Sequence, residues 1–178
     1  VANPGKRQKE MQARGARIFF VDPRRTESAK TVGEHVFIRP DTDVYFVLSF
    51  LREIFERQAV DRARTGRFMT GLDELEAFVS GWTPERTAEV TKIPAETQRE
   101  MVSAYLQADG ATCVSGTGVG MGTNGTLAVW LLECINAVTG NLDRRGGMLV
   151  GQGIFDFAAF GVKNGLFVSE ERSRIGGF

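Results

Sequence analysis

Histidine and cysteine are nearly missing from this chain: His35 is the one histidine, and Cys113 and Cys134 are the two cysteines, in 178 residues. Neither cysteine has a CxxC partner, which excludes an iron–sulfur or zinc site built from this chain alone. Unpaired thiols favour a reducing compartment. Neither sign of charge is in excess, with 22 Lys and Arg against 22 Asp and Glu, so the overall balance gives no pull toward nucleic acid, a membrane surface or a polyanionic partner. No apolar run is long enough to span a bilayer and no signal peptide is recognisable. The opening Val1-Ala-Asn-Pro4 has no initiator methionine and reads as the interior of a longer protein. An export signal would then lie upstream, and the compartment stays open between cytoplasm and periplasm. What the chain does have is 42% hydrophobic residues, 21 glycines and 13 phenylalanines, enough to bury the core of one domain with a small appendage.

The stretch from Gly15 to Arg25 organises the rest. Ile18 to Val21 is a short β-branched and aromatic run, the pattern of a strand buried on both faces of a parallel sheet. Asp22 stands at its carboxyl end, the rim where open α/β sheets bind ligands and where an acid accepts hydrogen bonds from ribose hydroxyls. Pro23 stops the strand, leaving Arg24 and Arg25 on a loop with guanidinium forks suited to phosphate oxygens. An ordinary strand end with solvated charges would look the same. Upstream, Asn3-Pro-Gly5 opens a polar helix to about Arg14. Turn, helix and parallel strand make the second half of a βαβ unit whose first strand is missing. Ala2 and Asn3 then lie either at a helix start able to hold a phosphate or at a frayed terminus.

Thr26 to Val32 reads as a polar connection, and His35 to Arg39 as a second strand ending at Pro40, with His35 a packed residue. Asp41-Thr42-Asp43 open an amphipathic helix carrying Val44, Val47, Leu48, Leu51, Ile54 and Phe55 at helical spacing. These polar residues either cap that helix or read a base. A carboxylate matches the two adjacent N–H donors of a guanine edge, which adenine does not offer. A helical insert covers about 58–108, with Arg62 to Arg67 as a solvated basic loop and no convergent chemistry. Ala111 to Ser115 returns to strand and runs into Gly116 to Gly125, where alternate glycines let the backbone approach a ligand. Gly120, Gly122 and Gly125 match GxGxxG, yet a dinucleotide fingerprint needs a following strand that ends in an acid about twenty residues on. Asp143, the downstream acid, falls in a turn instead. Thr126 to Val138 is a helix apolar nearly all round, expected between the sheet and another domain.

Val21-Asp-Pro-Arg-Arg-Thr26, Ile38-Arg-Pro-Asp-Thr-Asp43, Trp82-Thr-Pro-Glu-Arg86, Gly118 to Thr126 and Asn136 to Gly147 resemble, in order and spacing, one domain of the molybdopterin oxidoreductases. These are the large subunits of the dimethyl sulfoxide reductase, formate dehydrogenase and nitrate reductase type, and the resemblance covers nearly the whole chain. It implies an α/β fold, a three-layer Rossmann-like domain with a mainly parallel sheet over 1–150, and a tail over 151–178 that packs on parts of the parent this chain lacks. Strands near 17–21, 35–38 and 111–115 are expected adjacent or one apart, with their carboxyl ends on one rim.

The resemblance further implies that the domain binds one of two molybdopterin guanine dinucleotides holding molybdenum. Ala2 and Asn3 would lie near the phosphates, Asp22, Arg24 and Arg25 would approach the nucleotide, and Thr42 and Asp43 the guanosine. Thr117, Gly118 and Met121 would approach the pterin end. Nothing corresponds to the family's cysteine cluster, molybdenum ligand or carboxyl-terminal barrel, so catalytic and metal-binding residues are expected elsewhere in the parent. The same holds for a [4Fe-4S] cluster, an iron–sulfur electron-transfer subunit and the small-molecule substrate. No contact with nucleic acid or membrane is expected of this chain. Two-electron redox or oxo transfer would belong to the parent enzyme, with the isolated chain inactive. Two other readings compete: an NAD(P)-dependent dehydrogenase domain, favoured by GxGxxG, and a non-catalytic nucleotide-binding module like the middle domain of thiamine-diphosphate enzymes.

Overall fold

The computed structural model describes residues 3–149 and 156–165. Helix α1 (Pro4–Ala13) starts as its sequence requires: the Asn3 side chain accepts from the Lys6 N–H at 3.0 Å, and Pro4, which has no N–H to leave unpaired, takes the first helical position. Strands β1 (Phe19–Val21) and β2 (Glu34–Val36) pair in parallel, with Phe19 opposite Glu34 and Val21 opposite Val36. Between them lies α2 (Glu27–Thr31), where a polar connection was expected. Its signals are local. Thr26 accepts from the Ala29 N–H at 3.3 Å, and Lys30 pairs with Glu27 one turn away.

Next come α3 (Asp43–Glu56), α4 (Arg62–Thr65), α5 (Leu72–Val79), α6 (Pro84–Thr91) and α7 (Ala95–Gln107), then α8 (Thr117–Gly120), α9 (Gly125–Val138) and α10 (Phe157–Lys163). The expected basic loop at 62–67 therefore begins as a helical turn. Asp61 caps it by accepting from the Arg64 N–H, while Arg64 reaches across to the carbonyls of Leu142 and Asp143.

α3 is the centre of the core, packed by α5, α6, α7 and α9. Its Val44, Val47, Leu48, Phe50, Leu51 and Ile54 meet Leu75, Val79, Val102, Leu131, Ile135 and Val138. Each such side chain, fully buried, stabilises by about 1.5–3 kcal/mol. The helices of 58–108 thus contribute core side chains. A buried polar network joins them as well: Ser49 of α3 and Thr87 of α6 both donate to the Gln98 side chain of α7, whose amide donates to Ile93 O at 3.0 Å. On α9, Leu131 and Val138 are wholly buried while Trp130 is 52% exposed.

Two expectations about the sheet are corrected. Residues 111–115 form no strand. Asn136, wholly buried on α9, accepts from the Cys113 N–H at 2.9 Å and donates to Cys113 O at 2.8 Å, and Asn141 Oδ1 accepts from the Ala111 N–H at 3.3 Å. Side-chain amides thus supply the partners that a strand ladder would have given this segment. The described sheet has only β1 and β2, so each strand has one neighbour, and β1 is half-buried where burial on both faces was expected. The result is an α/β unit with a mostly helical core. Of the tail at 151–178, only 156–165 lies within the described residues.

Asn136 also accepts from the Tyr105 hydroxyl at 3.1 Å, and burial pushes that phenol up to about 12, with the nearby Cys113 thiol adding to the shift. Asn136→Ala would leave the Cys113 N–H, Cys113 C=O and Tyr105 hydroxyl without this partner, each at about 1–3 kcal/mol if left unpaired. Urea unfolding should show a loss of about 3 kcal/mol with an unchanged denaturant slope.

Candidate functional site

β1 and β2 end on one rim, and the chain leaves β2 through Phe37 to Pro40 to begin α3. At the end of β1 the Asp22 N–H donates to Val36 O at 3.1 Å, and its Oδ1 accepts from the Arg24 N–H at 2.7 Å, so the carboxylate itself turns the Asp-Pro-Arg corner. The His35 ring supports that corner, with Nε2 3.0 Å from Asp22 O and its edge against the Phe37 ring. It is thus the packed residue expected. Arg24 and Arg25 are both exposed.

At the start of α3 the three polar residues do three different things. Thr42 is buried, and its hydroxyl donates to Arg39 O at 2.6 Å. Asp43 is half-buried in the first turn. Burial raises its carboxyl above the usual Asp range, and the charges of Asp41 and Asp22 push the same way against a bond from its own N–H. Asp22 follows β1, and Asp41 and Asp43 lie where the chain passes from β2 into α3, so the three carboxylates gather at the carboxyl ends of the two parallel strands. Asp41 points its carboxylate away from the helix, onto the glycine loop: Oδ1 accepts from the Thr123 N–H at 2.7 Å and Oδ2 from the Thr123 hydroxyl at 2.6 Å. Those two bonds hold its carboxyl below the usual Asp range.

The loop is built for close approach. A Cβ on Gly122 would stand 2.5 Å from Asp41 Oδ1, and one on Gly125 would stand 2.4 Å from Gly120 O. Asp41, Asp43, Val44, Val119, Gly122 and Asn124 line the narrow cleft between loop and helix. Thr117 and Gly118 lie exposed on α8, open space surrounds Gly118, and Met121 is 80% exposed. A larger cavity opens elsewhere, between α4 and the start of α5, and contains none of these residues.

The structure therefore brings Asp22, Asp43 and the glycine loop together. It sets Asn3 to capping α1, and Ala2 lies outside the described residues. The sequence left Asp41 between capping the helix and reading a base, and gave Thr123 no role beyond its place in the glycine loop. They are 82 positions apart, and no local pattern links them. The dinucleotide fingerprint lacks its parts: no strand feeds the loop, and Asp143 lies in a turn at φ +50 with its N–H bonded to Met148 O. The thiols are not poised for chemistry, since burial pushes Cys113 up to about 12 and Cys134 up to about 11.

No protein-family model matches the chain. It is 33% identical over 132 residues to F420-dependent formate dehydrogenase 2 subunit alpha of Methanococcus maripaludis, covering 74% of this chain and 20% of that one. Formate dehydrogenase H of Escherichia coli is 28% identical over 130 residues, covering 73% of this chain and 18% of the enzyme. The periplasmic nitrate reductase of Desulfovibrio desulfuricans is 26% identical over 149 residues, covering 79% and 20%. The chain thus spans about a fifth of the length of the curated relatives it matches. Among solved structures, acetylene hydratase from Pelobacter acetylenicus superposes with a TM-score of 0.71 at 23% identity, over 78% of this chain and 19% of that one, a likeness of fold. Motif order, fold and relatives agree: this chain is homologous to one segment of the large subunits of the molybdopterin oxidoreductases, the formate dehydrogenase, nitrate reductase and dimethyl sulfoxide reductase type.

Proposed function

We propose that the chain is a cofactor-binding segment of the catalytic subunit of a molybdenum-dependent oxidoreductase, holding one molybdopterin guanine dinucleotide. The observation that carries this reading is the convergence of Asp22, Asp43 and the glycine loop on one strand-end rim. On this reading β1 and β2 belong to a larger, three-layer Rossmann-like sheet. The substrate, a [4Fe-4S] cluster and an electron-transfer subunit belong to the rest of the parent. Relatives named as alpha subunits support that last point.

The residues present fit such a cofactor. Glycines without Cβ atoms leave open space at Gly116, Gly118 and Gly120 for a ligand to approach the backbone, the exposed Arg24 and Arg25 suit phosphate oxygens, and the half-buried Asp43 carboxylate on the rim would meet a base edge. When bound, the group supplies the two-electron redox chemistry of its metal. This chain's residues bind and orient it. Asp43 accepts from the two adjacent N–H donors of guanine, Asp22 from ribose hydroxyls, and the arginines neutralise phosphate. Exposed rim loops leave the metal end to be enclosed by the rest of the parent.

A bidentate, charge-assisted bond from Asp43 to guanine contributes about 1.5–3 kcal/mol, whereas adenine would oppose an acceptor to the same oxygens. GDP should therefore bind about tenfold or more tightly than ADP in calorimetric titrations. Asp43→Asn should abolish that preference, and equal wild-type affinities for the two nucleotides would remove Asp43 from base reading.

Asp43→Asn should also raise stability at pH 7. The folded Asp43 carboxyl lies above its unfolded value, so its ionisation disfavours the folded state once pH exceeds the folded value. The variant's higher melting temperature should shrink as pH falls through that value and vanish below the unfolded value of about 4. A thermal series from pH 7 to pH 3 checks it, and lower stability at pH 7 would contradict the assignment.

A further inference from the structure

We propose that Asp41 is a positioning residue: its carboxylate latches the glycine loop over Asp43 and so holds the two ends of the site in register. This rests on the nucleotide-binding reading above and goes beyond it, because it names what sets the loop's place. Among the described residues, the hydrogen bonds from 116–124 to anything other than the loop itself and α9 are the two from Thr123 to Asp41. Two of the loop's own bonds are long, Val119 N–H to Gly116 O at 3.3 Å and Gly122 N–H to Val119 O at 3.5 Å. α8 has no buried residue, and space is open around Gly116, Gly118 and Gly120. Val119 packs half-buried against the core and so holds α8 on one side, whereas the turn at 121–123, with Met121 80% exposed, is left to its hydrogen bonds.

The latch has a backbone cost and a steric requirement. Asp41 sits at φ +62, a left-handed conformation that Asp tolerates and glycine adopts freely. An ordinary turn at this point would favour glycine, so the carboxylate's presence calls for a reason. The two bonds to Thr123 supply one. Gly122 supplies the clearance, since a Cβ there would strike Asp41 Oδ1. Val119, Gly122 and Asn124 form one wall of the cleft that holds Asp43, so releasing Thr123 removes that wall.

Asp41→Gly tests this with little risk to folding, because glycine suits the backbone and both bonds are lost. Thr123→Val removes one bond and no charge. Without ligand, amide exchange at 117–123 should accelerate about tenfold or more in Asp41→Gly while amides of α3 keep wild-type protection. GDP affinity and the GDP-to-ADP ratio should fall in both variants, with Asp41→Asn, which retains one acceptor oxygen, intermediate. The double variant should bind GDP no more weakly than Asp41→Gly alone. Unchanged loop exchange in Asp41→Gly overturns the latch. Faster exchange with an undiminished GDP-to-ADP ratio overturns the positioning role. A wild-type chain that binds neither nucleotide overturns the nucleotide reading and the positioning role with it, while ligand-free exchange still decides whether the latch exists.

Discussion

α3 is packed at once by α5, α6, α7 and α9, and the rest of the structure depends on that burial. Leu51 and Ile54 are wholly enclosed, and even Glu53 is only 5% exposed. A carboxylate that deep is costly unless paired. Arg52 at 2.7 Å and Arg57 at 3.2 Å from its oxygens, with Arg99 at 3.7 Å, provide the compensation. A helix held so firmly fixes its own first turn. Asp43 therefore meets the strand ends at a place set by the core and not by the loop before it.

The rim works on the opposite principle. Short polar bonds between side chain and backbone shape it: Asp22 to the Arg24 N–H, Thr42 to Arg39 O, Asp41 to Thr123. Such contacts are exposed or, for Thr42, part-buried, and individually modest, but each fixes one turn of backbone. A rigid helix start thus faces a loop tied to it by the Asp41–Thr123 bonds.

Asparagine explains why the sheet is smaller than the pattern of apolar runs suggests. Asn136 pairs with both backbone groups of Cys113, and Asn141 with the N–H of Ala111, so the segment reading as a third strand is sealed against α9. Nothing in Ala111-Thr-Cys-Val-Ser115 announces this. The asparagines sit in the Asn136 to Gly147 stretch that resembles a family motif, yet their role is visible only once the fold brings Asn136 to Cys113 and Asn141 to Ala111. The helices were more legible: α3 lies where its apolar spacing puts it, and α5, α6 and α7 fill the expected helical stretch at 58–108, whereas α2 and α4, short and capped by Thr26 and Asp61, were hidden in polar stretches.

Sequence by itself determined the character of the chain: an α/β unit, an acid at the end of β1, an apolar helix beginning in Asp-Thr-Asp, a glycine loop, and motif spacing that points to one family. Those features are local, carried by periodicity, caps and turn residues within a few positions of each other. Tertiary structure decided which polar side chain faces which partner. It gave Thr42 to Arg39, turned Asp41 toward Thr123, left Asp43 half-buried beside two other carboxylates, and paired Cys113 with Asn136. The physical reason is that hydrogen-bond choice and desolvation depend on distances between segments up to 82 positions apart, which only the packed core fixes.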